Sequence, residues 1–100
     1  MPAYLIFKFD VSDPAAYGSY VAQVGPILIR HGADVLVVSN NPQVLEGSEP
    51  GMNVVIKFET EEKAISFYDS SEYAPLKELR HQATTNHSCI LAQGFVMPTA

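Results

Sequence analysis

Ala33-Asp34-Val35-Leu36-Val37-Val38-Ser39 reads as a β-strand that has no wet side. Valine-rich runs favour extended chain, and a strand in a half-solvated antiparallel sheet alternates apolar with polar residues. Val35 to Val38 does not alternate, and neither do Val54 to Ile56 or Ile90 to Ala92. A sheet built from these segments needs cover on both faces.

Upstream, Ala3 to Phe9 is a strand with Leu5, Phe7 and Phe9 on one face and Tyr4, Ile6 and Lys8 on the other. Asp13-Pro14 then starts a helix, because the carboxylate caps free amides and proline is tolerated at the first helical position. Tyr17, Tyr20, Val21, Val24, Ile27, Leu28 and His31 recur at helical steps along its buried stripe. Gly25-Pro26 predicts a kink or restart, and Gly32 a left-handed stop. Downstream of the valine run, Asn40 to Met52 is a long loop with room for a short edge strand at Val44 to Glu46. Asn53 to Phe58 is the third strand. Thr60 caps a second helix, Ser70-Ser71 interrupt it, and Pro75 opens a further short helix toward Ala83. Cys89 to Val96 is the closing strand.

The order β-α-β-β-α-β predicts an α+β, ferredoxin-like domain over residues 1–100, a four-stranded antiparallel sheet with helices on one face. Two helices cover only one face. The economical cover for the other is the same face of a second copy, giving a homodimer.

The formal charge is −5 with scattered basic residues, which argues against nucleic acid and anionic membranes as partners. Lys77 to His81 is dense enough in cations to hold one small anion. Cys89 is the only cysteine, so the expectation is a reducing cytoplasm without disulfides. No leader or membrane span is expected. Phosphate loops, nucleophile elbows and metal-binding spacings are absent, so no cofactor is expected. His87 and Cys89 fall on one strand face, but two ligands do not complete a metal site.

Five residues are candidates for chemistry. Arg80 can hold a substrate carboxylate by paired hydrogen bonds, or it can pair with Glu46. Tyr68 and Tyr73 can donate phenolic protons or stack on a planar ligand, or serve as core residues with wet tips. His31 is a general base or a helix-end cation. Glu46 is an acid or base if desolvated, and otherwise a solvated loop charge.

Asp13-Pro14-x-x-Tyr17-x-x-Tyr20, Val44-Leu45-Glu46-Gly47 and Phe67-Tyr68-Asp69-Ser70-Ser71-Glu72-Tyr73 continuing to Leu79-Arg80 resemble, in order and spacing, the family catalogued as domain of unknown function 1330. The resemblance implies the dimeric α/β-barrel superfamily, in which two protomers set their sheets face to face and small ligands bind between sheet and helix. Relatives there include cofactor-free monooxygenases and isomerases, while this family has no settled activity. The chain departs from the pattern at Ser71, where proline is common, at Ala33 and Asp34, where a glycine and a basic residue are common, and near Met52 and Asn53, where a cation is often found. If those cations hold an anionic ligand in relatives, the ligand here is less anionic or absent, and Arg80 then stands nearly alone as an anion holder. Two functions follow as expectations: a small-molecule-binding dimer acting as a monooxygenase- or isomerase-like enzyme on a small aromatic or enolisable substrate, or a non-catalytic metabolite-binding or accessory dimer.

Overall fold

The computed structural model describes residues 1–98. Its elements are β1 (Ala3–Val11), α1 (Pro14–Arg30), β2 (Asp34–Asn40), β3 (Met52–Phe58), α2 (Glu61–Tyr68), α3 (Ala74–Ala83) and β4 (Thr84–Gln93). The strands form one antiparallel sheet in the order β2-β3-β1-β4. This is the ferredoxin-like α+β arrangement, with the second helical segment divided in two.

The divisions follow local chemistry. The Asp13 carboxylate accepts the Ala16 amide proton at 3.1 Å, and Thr60 Oγ1 accepts that of Lys63 at 3.2 Å. Between α2 and α3, the Ser70 hydroxyl donates to the Phe67 carbonyl at 2.7 Å and accepts from the Tyr73 amide at 3.2 Å. One serine thus ends one helix and starts the next. Gly32 has φ +70°, the left-handed stop that favours glycine.

Register decides which residues share a face. Leu5 pairs with Ile56 and Leu91, Phe7 with Val54 and Cys89, and Phe9 with Met52. These face the helices, and Leu5, Phe7, Phe9, Met52 and Ile56 are buried. On the opposite face Ile6 lies between Val55 and Ile90, and Tyr4 between Lys57 and Ala92. Val37 joins Val55 there. Val37 and Ile90 are 41% and 57% exposed, so this face carries an apolar strip that the chain itself leaves uncovered.

Four expectations need correction. α1 passes through Pro26 without restarting; Ala22 and Pro26 are both exposed, so the carbonyl that loses its donor meets water. Val44 to Glu46 forms no strand. The loop is instead held at its base, where Asn41 N donates to Gly51 O at 2.7 Å and the Asp10 carboxylate accepts from the Gly51 amide at 2.8 Å and from Asn86 Nδ2 at 3.0 Å. β4 begins at Thr84 rather than Cys89, because Thr84 and Thr85 pair with Val11 and Asp10, beyond the expected end of β1. It stops at Gln93 rather than Val96, because Gln93 already pairs with Ala3, the first residue of β1. Within residues 1–98 no helix is long and apolar enough to cross a membrane.

Candidate functional site

Tyr73, the cap residue just before α3, and Arg80 within it are seven residues apart, two helical turns, and so share a face. That face meets α1, whose Tyr17 and Tyr20 are three apart on its inner stripe. Ser12 and Asp13 amides both donate to the Ala83 carbonyl, at 2.9 and 3.1 Å, which ties the start of α1 to the end of α3. Between α1 and the β2–β3 side of the sheet a cavity of about 210 Å³ remains. Its walls include Phe7, Val24, Leu28, Val54 and Ile56, with Tyr17, Tyr20 and Arg80 as polar members. Val21, Val35 and Val38 ring its mouth and are exposed.

Arg80 is 1% exposed. Its Nε–H donates to the Tyr73 hydroxyl at 3.4 Å, its Nη2 approaches His81 Nε2 at 3.5 Å, and its guanidinium carbon lies 5.0 Å from the Phe7 ring centroid. The Tyr73 and Tyr20 hydroxyls are hydrogen-bonded at 2.8 Å. Among the described residues the ion pairs join Lys8 to Glu49, Arg30 and His31 to Glu72, and Lys63 to Glu59. None includes Arg80.

Burial pushes the phenols of Tyr17, Tyr20 and Tyr68 upward, the neighbouring Arg80 charge offsetting part of it. These groups stay protonated at neutral pH and act as hydrogen-bond donors rather than bases. An order in which Arg80 donates to Tyr73 and Tyr73 to Tyr20 leaves the Tyr20 proton for a ligand.

The structure gathers three of the five sequence candidates, since Tyr68 is close enough to Arg80 to feel its charge. Tyr68 itself borders a second, more open hollow of about 160 Å³ with Leu5, Ile65 and Cys89; Lys77 Nζ sits 3.8 Å from its ring centroid. The Cys89 thiol is pushed up to about 11 by burial, so it is not a ready nucleophile. His31 lies elsewhere, bonded to Glu72 Oε1 at 2.9 Å and edge-on to Phe67. Glu46 is an exposed loop residue and does not pair with Arg80. Tyr17 and Tyr20 read in the sequence only as core positions of a helix. Their hydroxyls on an inner stripe were the available signal.

His81 is not simply a surface residue. Its ring stacks on His87 with centroids 4.6 Å apart. Burial, Arg80 and His87 together depress its pKa below the ordinary value, while Glu78 opposes and Lys77 adds to the shift. An imidazole that resists protonation in the folded state destabilises the fold once pH falls below its unfolded value of about 6.5. Melting temperature should therefore drop between pH 7.5 and pH 5.5, and the drop should be smaller in His81→Gln. An identical drop in both proteins would remove His81 from the account.

The sequence profile of the family described as "Domain of unknown function (DUF1330)" matches residues 2–95. No curated protein matches the chain. Among solved structures, a protein of unknown function from Rhodopseudomonas palustris is 15% identical, with a TM-score of 0.76 over 96% of this chain and 84% of that one. A dimeric ferredoxin-like protein of unknown function from Bacteroides fragilis is 8% identical, with a TM-score of 0.62 over 93% and 96%. SnoaB, a cofactor-independent oxygenase from Streptomyces nogalater, is 13% identical, with a TM-score of 0.63 over 96% and 95%. At these identities the likeness is one of fold.

Proposed function

The chain belongs to the DUF1330 family, and on that premise we propose that it binds a small molecule beneath α1 and works as a homodimer, Arg80 orienting the ligand. The observation that carries this is a charged side chain, 1% exposed, bordering an apolar cavity without a carboxylate partner among the described residues. Pockets of this kind, apolar with a few convergent polar groups, are the usual form of small-ligand sites. A thermal-shift screen of small aromatic acids, quinones and lactones tests it. A ligand at roughly a hundredfold excess over Kd should raise Tm by about 10 °C or more. No shift from any class would sink the proposal.

The homodimer is supported by the apolar strip of Ile6, Val37, Val55 and Ile90 on the open face, and by a relative of the same fold described as dimeric. Light scattering should give twice the 10.9 kDa chain mass, and Ile6→Lys with Ile90→Lys should give monomer. A monomeric wild type at micromolar concentration would overturn it.

A second reading is catalytic. The donors of Arg80 and Tyr20 at the cavity, with Tyr73 relaying between them, suit an enolate oxygen, and SnoaB, of similar fold, is described as a cofactor-independent oxygenase. Arg80→Met and Tyr73→Phe should then both slow turnover of a hit. Saturable binding with no chemical change in the ligand leaves the non-catalytic reading standing alone.

A further inference from the structure

Arg80 is a charge for which the described residues supply no counterion. A buried lysine can shed its proton, but a guanidinium keeps its charge at any pH the protein meets. Buried charges in folded proteins are paired, because an isolated ion is costly to remove from water. Yet the groups around Arg80 are neutral: the Tyr73 oxygen, His81 Nε2, the Tyr68 phenol and the face of Phe7. Both hydrogen bonds are long, and since no buried side-chain donor among the described residues lacks a partner, what Arg80 wants is an opposite charge.

The lining of the cavity bears on which counterion would suit Arg80. Of the described residues lining it, Arg80 is the only charged one, so one negative charge beside that guanidinium would be matched and a second would not. The remaining wall is hydrocarbon and aromatic, apart from the tyrosine hydroxyls. A cavity of roughly 150 Å³ accommodates benzene, so about 210 Å³ holds one ring together with a carboxylate.

We infer that the cavity takes a monocarboxylate whose apolar body is about the size of one six-membered ring. The carboxylate lies on Arg80 with the Tyr20 hydroxyl beside it, and the body packs against Val24, Leu28, Val54 and Ile56. This rests on the small-molecule reading of the same cavity and adds the ligand's class and orientation. A carboxylate suits a guanidinium through charge-assisted, paired hydrogen bonds. A dicarboxylate would press its second charge against apolar walls, and a neutral amide would leave the arginine unpaired.

Titration calorimetry on the full chain at pH 7 with benzoate, benzamide, phthalate and toluene tests this. Benzoate should bind at least about tenfold more tightly than benzamide, the discrimination expected of a hydrogen-bonded charge, and phthalate more weakly than benzoate. Arg80→Met should erase the preference. Equal affinity for benzoate and benzamide, or benzoate binding unchanged in Arg80→Met, would overturn the carboxylate class while leaving a small-molecule cavity in place. Absence of binding by all four would overturn both. The benzoate and benzamide comparison is made on the wild type, so it stands even if the variant fails to fold.

Discussion

Arg80→Met should give a protein as stable as the wild type, or more stable by up to about 4 kcal/mol, that no longer distinguishes carboxylates from neutral ligands. Methionine fills much of the volume of the arginine stem and brings no charge to desolvate. The Tyr73 hydroxyl keeps its 2.8 Å partner in Tyr20, so little is orphaned. Arg80→Ala removes the same charge but leaves a void beside Phe7 and Tyr73, and should fall below the methionine variant by about 2–4 kcal/mol. Urea denaturation of the three proteins decides the matter. If methionine costs several kcal/mol, the guanidinium is a structural strut. It is then not an unpaired charge awaiting a ligand.

Phe67→Ala should cost about 3–5 kcal/mol, a large fraction of the stability of any domain this size, and lower Tm by roughly 15 °C or more. Phe67 is 1% exposed and its ring centroid lies 5.6 Å from Phe58, 5.6 Å from His31 and 4.5 Å from Tyr73. Truncation therefore opens a cavity at the meeting point of β3, the end of α1 and the start of α3. It also removes the surface against which Tyr73 is held, so Tyr73 should lose its fixed position before the fold is lost. Phe67→Leu should cost markedly less. A loss below 1 kcal/mol for alanine, measured in urea, would show that this cluster does not carry the core.

The fold was legible because its signals are local. Asp13-Pro14, Thr60 and Ser70 act within three residues of themselves, and strand periodicity needs no knowledge of partners. The errors lie where a distant partner decides. Thr84 and Thr85 look like loop residues until Val11 and Asp10 pair with them, and Pro26 breaks nothing because its side of α1 faces water. The same distinction runs through the candidate site. Tyr73 and Arg80 share a helix face, so spacing alone joins them. Tyr20 reaches them only through the packing of α1 on α3, which no motif records. His31 and Glu46 stood out as polar groups on or near apolar elements, but the geometry sets them apart from the cavity.

The register of β2 shifts between Val35 and Val37, leaving Leu36 as an extra residue opposite β3. β2 is also the outermost strand on its side of the sheet, and Val35 through Val38 are all exposed. A straight apolar strand in that position would be a template for endless sheet growth between molecules. A bulge breaks the two-residue repeat that an incoming strand must follow and twists the edge out of line. Leu36 therefore acts against strand-by-strand growth at this edge of the sheet.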